Sequence, residues 1–235
     1  MVLSKGEKGK TMIDQIIIGD KASYDDFGAS LAKRNNQMPS KKSIKETVPF
    51  SNITYDFSAI NGELYWKERV LEYTFEMFAP TPEKLEEMKI AFSDWIMNIL
   101  EEKLIDPLHP DFHYLATFDD MSYADEETLD KTTVTVKFTA YPYKISNVPR
   151  VYKFELAAGE EINATLINES SHRVTPTINS DIGITIIIGN DSYVVSAGEL
   201  TDETIKLDKG VNTITFKNAK TEVCTLTVSF NIEVF

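Results

Sequence analysis

The sequence predicts a mainly β protein with one long helix. It divides into an α+β N-terminal domain over residues 1–145 and a small C-terminal β-sandwich over residues 150–235. The N-terminal domain is expected to be β-sandwich or barrel-like, with the helix packed on its sheet. Three observations support this. Only the stretch after Thr81 repeats its apolar residues at helical spacing. Several other runs alternate apolar and polar residues, as half-buried strands do. After Tyr141–Arg150, YPYKISNVPR, tryptophan and helical period disappear, while Asn, Thr and Ile become frequent.

Residues 1–15 are read as a flexible extension. The run Ile16-Ile17-Ile18-Gly19 then leads into KASYDDFGAS, where Asp25 and Asp26 stand between Tyr24 and Phe27-Gly28. Paired carboxylates raise the choice between a metal or acid/base site and a shaped corner. No histidine, third ligand or nearby base accompanies them, which favours the corner. Gly28 would supply a conformation that other residues resist, an aspartate would cap backbone amides, and Tyr24 and Phe27 would anchor the bend. Lys33, Arg34, Lys41, Lys42 and Lys45 follow, around the turn or hairpin tip NNQMPS. They either pair with acidic surface on a neighbouring copy or face water.

In Arg69–Phe78, Leu71, Tyr73, Phe75 and Met77 point one way and Glu72, Thr74 and Glu76 the other. Thr81-Pro82-Glu83 opens the helix with an N-cap hydroxyl, a first-turn proline and an acid. Leu85, Met88, Phe92, Trp95 and Ile99 form its apolar face, and Pro107 is expected to stop it. Phe112–Phe118 reads as a strand, DDMSYADEETLDK as a polar connection, and Thr133–Ala140 as a second alternating strand. Beyond the linker, short strands are expected at Glu161–Asn168, Arg173–Ile178, Ile184–Ile188, Tyr193–Ser196, Thr204–Leu207 and Val211–Lys217, with a last one from Cys224.

The net charge is −13, divided as +2 over residues 1–60, −9 over 61–150 and −6 over 151–235. Such a balance argues against general nucleic-acid binding, which needs Lys and Arg to neutralise phosphates. No apolar run is long enough to span a membrane, so no membrane partner is expected, and no secretion signal is recognised. The single cysteine, Cys224, forbids an internal disulfide and a cysteine-built zinc site. Pro110 breaks the only histidine cluster, His109–His113, out of the helical spacing that zinc pairs use. The acidic segment Asp119, Asp120, Asp125, Glu126, Glu127 lacks the spacing of a calcium loop. No catalytic, cofactor-binding or metal residue is therefore assigned, and the chain is not expected to be an enzyme.

The order of features resembles a known family. IIIGDKASYDDFGASL, a basic hairpin-like segment, VPFSNITYDFS, GELYWKERVLEYTFEM, the helix and FHYLATF are similar to the N-terminal domain of the distal tail (Dit) proteins of siphophages. VTPTINSDIGITIIIGNDSYVVSAGE and DKGVNTITF are similar to the galectin-like β-sandwich that follows it in those proteins. Where relatives often carry glycines, the segment Val48–Ser58 has PFSN. The resemblance implies a structural virion protein of a phage or prophage, made in the bacterial host cytoplasm and placed at the tail tip. Its partners would be identical copies in a hexameric ring or back-to-back rings, the tail tube protein, a tail-associated baseplate or fibre protein, and a receptor-binding protein. DNA would only pass through the lumen. The alternative is a protein whose C-terminal sandwich binds host cell-wall carbohydrate, although that segment has no Trp and only Tyr152 and Tyr193 to stack on a sugar.

Overall fold

The computed structural model describes residues 15–47, 49–59, 62–125 and 130–235. They form two compact units, one ending at Lys144 and one spanning Ile145–Phe235. The extension expected over residues 1–15 lies outside the described residues apart from Gln15, as do Val48, Glu126 and Glu127.

The first unit contains β1 (Ile17–Ile18), β2 (Lys21–Ala22), β3 (Ser30–Asn36), β4 (Lys45–Thr47), β5 (Thr54–Asp56), β6 (Arg69–Phe78), α1 (Pro82–Met97), β7 (Glu102–Ile105), β8 (Phe112–Asp125) and β9 (Lys131–Ala140). β10 (Lys144–Ser146) covers the point of division. The main sheet runs β2-β1-β7-β8-β9-β6-β3 with antiparallel neighbours. The pair β4–β5 forms a separate ribbon.

Strand alternation decides which face of the sheet closes. β6 and β9 pair without interruption from Arg69↔Ala140 to Phe78↔Lys131. Leu71, Tyr73, Phe75 and Met77 therefore share one face with Val134, Val136, Phe138 and Ala140, and none is more than 2% exposed. Against this face α1 buries Leu85, Phe92 and Ile96, with Phe92 meeting Phe75 edge-on at 5.5 Å. Each such side chain contributes about 1.5–3 kcal/mol before the cost of ordering it.

The opposite face is half-exposed and polar. Glu72, Thr74 and Glu76 of β6 lie beside Thr133, Thr135 and Lys137 of β9, flanked by Asp120 and Ser122 of β8 and by Lys33 and Asn35 of β3. Lys137 sits 3.9 Å from Glu72 and Lys131 3.6 Å from Glu76, so the charges on this face largely offset one another. A bulge between Leu31 and Lys33 sets which β3 residues reach it.

Two sequence expectations need correction here. The helix ends at Met97, where Asn98 caps it and donates its side-chain amide to the Asp94 carbonyl at 2.6 Å. Pro107 plays no part in that stop, because the four-residue strand β7 lies between them, too short to display a period. β8 continues beyond Phe118 through a bulge at Phe118/Asp120, so DDMSYAD is strand and not connection. Its polarity follows from the open face it joins.

The second unit is a sandwich of β11 (Arg150–Leu156), β12 (Glu161–Asn168), β13 (Thr177–Ser180), β14 (Ile184–Ile188), β15 (Asp191–Val195), β16 (Gly198–Thr201), β17 (Gly210–Lys217) and β18 (Cys224–Phe230), followed by β19 (Glu233–Val234). Its sheets run β11-β18-β13-β16 and β12-β17-β14-β15. Leu156, Ile178, Leu226 and Val228 from one sheet pack with Leu166, Ile186, Ile214 and Phe216 from the other. The strand expected at Thr204–Leu207 is absent, and the one expected at Arg173–Ile178 is displaced to β13. Val174 and Leu207 meet only in an isolated bridge, although both are buried. Apolar alternation there reports burial without a ladder. Cys224 is fully buried as its inward position predicts, and burial raises its thiol pKa.

Two buried asparagines turn the chain between sheets. Asn168 Oδ1 accepts from the Ser170 N–H, while its amide donates to the carbonyls of His172 and Leu207. Asn218 repeats the arrangement: Oδ1 accepts from the Lys220 N–H and the amide donates to Leu156, Ala157 and Glu222 carbonyls. The Asn218→Ala variant should lose about 2–4 kcal/mol of unfolding free energy in urea titration, because buried backbone groups are left unpaired.

Candidate functional site: a packed corner and an exposed arm

The corner is built by local hydrogen bonds. Ser23 Oγ accepts from the Ile16 N–H at 3.1 Å, and the Ser23 N–H donates to the Ile16 carbonyl at 2.9 Å. Asp26 Oδ2 accepts from the Ala22 N–H at 2.7 Å, and Asp25 Oδ2 accepts from Gln15 Nε2 at 3.0 Å. Gly28 has φ +69° and donates to the Tyr24 carbonyl at 2.8 Å. Phe27 stacks on Trp95 at 4.6 Å and meets Phe92 edge-on at 5.9 Å, so it fastens the corner to α1. Tyr24, expected as a second anchor, is 37% exposed and closes the turn through its carbonyl. Both carboxylates are thus engaged by the chain itself. Among the described residues no group of three or more His, Cys, Asp or Glu is placed to hold a metal ion.

The structure separates the five basic residues. Lys33 lies opposite Thr74 on the open sheet face and is exposed. Arg34, its neighbour, lies opposite Tyr73, and its Nε donates to both carboxylate oxygens of Asp106, at 2.9 and 3.0 Å. Asp106 is 1% exposed and also accepts from the Leu108 N–H. Tyr73 beside this pair is held well above its ordinary pKa, first by burial and then by the Asp106 charge. Arg34 is consequently a structural cation of the body.

Lys41, Lys42 and Lys45 belong instead to an arm that leaves the sheet between β3 and β6. Its root is a two-stranded ribbon in which Lys67 N–H donates to the Ser40 carbonyl and Lys42 N–H to the Tyr65 carbonyl, each at 2.8 Å. Farther out, Ile44 N–H donates to Ser58 Oγ at 2.9 Å, and β4–β5 continues the ribbon. The Ser58 hydroxyl and N–H, with Lys41 and Lys45 nearby, lower the pKa of Asp56. The segment Val48–Ser58, with its PFSN, lies within this arm, although Val48 itself is outside the described residues.

The sequence reading singled out the arm for its lysines and missed its apolar surface. All six residues of β4 and β5 are exposed. Ile44, Ile53, Tyr55, Phe57, Leu64 and Tyr65 are between 40% and 57% exposed. Phe50, at the outer end, is fully exposed and has φ 63°, a strained conformation for a bulky side chain. The alternation Ile53, Tyr55, Phe57 was the available signal, but a pattern of this kind does not say whether its apolar face is covered.

The remaining candidates are occupied within the chain. His113 is buried at the start of β8, and Asp125 pairs with Lys89 of α1 at 3.1 Å. Tyr152 and Tyr193 pack against the core of the second unit, with their hydroxyls donating to the carbonyls of Ile167 and Thr204.

These features define a β-rich two-unit chain whose first unit packs one helix on a sheet and carries an exposed arm. No family model matches the chain, and no curated protein matches it. Among solved structures it is similar to the Dit protein (gp 19.1) of phage SPP1, described as a paradigm of the hub adsorption apparatus in phages infecting Gram-positive bacteria. The TM-score is 0.67 at 14% identity, over 93% of this chain and 98% of that chain. The chain therefore has the fold of SPP1 Dit, as the order of its sequence features implied. A chain of the phage P2 baseplate in its activated conformation with Ca gives TM-score 0.42 at 8% identity, over 92% of this chain and 97% of that one. A de novo designed double-stranded β-helix gives 0.27 at 16%, over 36% and 97%.

Removing Arg34 should leave the Asp106 charge buried. Arg34→Ala is expected to cost about 3 kcal/mol in chemical unfolding, whereas Lys33→Ala should stay within about 0.5 kcal/mol of the parent. A methyl group at Gly28 would lie 2.7 Å from Met88 Cε in a backbone conformation that resists it. Gly28→Ala should therefore cost about 1–2 kcal/mol, read by the same titration.

Proposed function

We propose that the chain is a non-enzymatic structural protein of a phage tail tip, a hub in the manner of SPP1 Dit. The observation that carries this reading is the likeness to that protein over nearly the full length of both chains. Fold alone does not define function. The arm supplies an independent argument, since an isolated two-stranded ribbon with uncovered apolar side chains is marginally stable in water and calls for a partner.

In this reading the N-terminal unit forms a hexameric ring, singly or as back-to-back rings, between the tail tube protein and a tail-associated baseplate or fibre protein. The C-terminal sandwich is a docking module for such components or for a receptor-binding protein. The protein is made in the host cytoplasm and resides in the virion. A cyclic ring needs a heterologous contact, one surface of each copy meeting a different surface of the next, and an arm reaching from a compact body supplies one half of it. Lys41 and Lys42 are the arm cations we assign to that contact.

The open face of the main sheet suits the wall of a channel for passing DNA. Its hydroxyls and offset charges leave few lysines to neutralise phosphates and hold the polyanion.

Native mass spectrometry at moderate salt tests the assembly. The unaltered chain is expected as a six-fold ring or a double ring, and Lys41→Glu/Lys42→Glu as smaller species, with about 1–2 kcal/mol lost per interface. A full ring from the double variant removes the lysines from the contact. A parent that stays monomeric at every concentration counts against the ring.

A further inference from the structure

Arg69 opens β6 on the dry side of the sheet, opposite Ala140, and is 3% exposed. Its guanidinium lies over the Tyr114 ring, 5.2 Å from the centroid. Nε donates to the Gln37 carbonyl at 3.0 Å, Nη1 to the Pro142 carbonyl at 3.3 Å and Nη2 to Met38 Sδ at 3.7 Å. Those bonds use three of the five N–H donors of an arginine, and none of the acceptors carries a charge. A buried cation is ordinarily paired with a carboxylate, because neutral acceptors return only part of the hydration it gives up. Asp106 is the carboxylate whose charge is felt at Tyr114, and Arg34 already holds it.

A second cation stands beside the first. Lys144, the last residue of the first unit, is half-buried and makes no ion pair or side-chain hydrogen bond among the described residues. Burial pushes its ammonium pKa down, the Arg69 charge pushes it down further, and no acid opposes either effect. Two positive charges therefore adjoin each other without a counterion, in a chain whose net charge is −13.

We propose that Arg69 and Lys144 form a binding site for one small oxyanion, a phosphate or a carboxylate group, that bridges the guanidinium and the ammonium. The two remaining N–H groups of Arg69 and the Lys144 ammonium are its donors, and charge-assisted hydrogen bonds of this kind are the strong ones. The planar donors of arginine favour an oxyanion over chloride. A nucleic-acid strand does not fit the site, because one buried arginine and one half-buried lysine offer no row of cations for a backbone to follow. All the groups involved belong to the first unit, so the site needs no assembly of copies.

Titration of the full chain with inorganic phosphate at constant ionic strength tests this, followed through the side-chain NMR resonances of Lys144. A saturable shift with a dissociation constant of about 1–10 mM is expected, together with a rise in the Lys144 pKa as the anion binds. At phosphate about tenfold above that constant, the folding equilibrium should become roughly tenfold more favourable. Lys144→Met should remove this stabilisation, Lys144→Arg should retain it, and Lys137→Met on the open face should leave it unchanged. Acetate distinguishes the two sources of the same chemistry. Saturation by phosphate alone assigns the site to free phosphate, whereas saturation by acetate assigns it to a carboxylate, such as an acidic side chain of a partner. Shifts that only follow ionic strength, or a stabilisation that survives Lys144→Met, overturn the proposal.

Discussion

The first unit depends on one constraint: the unbroken β6–β9 register that turns eight apolar side chains toward α1. That register gives the sheet a dry face and a wet face, and every candidate surface is attached to one or the other. The corner is fastened on the dry side through Phe27, wedged between Phe92 and Trp95 of the helix. Arg34 reaches Asp106 beside Tyr73, which itself belongs to the dry face. The threonine-rich open face is the unavoidable counterpart of the same alternation.

Much of this was legible in the sequence. β6 runs over the residues its alternation predicted, and the Thr81 cap and Pro82 start the helix as read. The misses share a physical origin. β7 and β16 are only four residues long, too short for a period to emerge. The outer half of β8 sets only Met121 and Tyr123 toward the core, among acidic and small residues, so its pattern imitates a connection. In the second unit, Val174 and Leu207 carry strand-like alternation because they are buried, while only one bridge forms between them.

At the corner, where an aspartate was expected to cap backbone amides, Asp26 accepts from the Ala22 N–H and Asp25 from the Gln15 side chain. The basic segment was legible as charge but not as geometry. Adjacent positions on a strand face opposite ways, so Lys33 and Arg34 part company, and only Lys41, Lys42 and Lys45 travel with the arm. Asn168 and Asn218 carried no sequence signal at all, because a buried asparagine that serves backbone carbonyls looks like any loop asparagine.

The bulge between Leu31 and Lys33 makes β3 a strand with two phases. Before it, Leu31 sits opposite Phe75 on the dry face; after it, Arg34 sits opposite Tyr73 on that same face. Drawing the extra residue, Ala32, into a regular ladder opposite Thr74 would leave every side chain chemically intact while moving Lys33 opposite Tyr73 and Arg34 opposite Glu72. Lysine would enter the arginine's niche at Asp106 as a point charge without the planar donor set, and the guanidinium would move to the open face. One alanine therefore acts as the phase marker that keeps a structural cation and a surface cation from trading places.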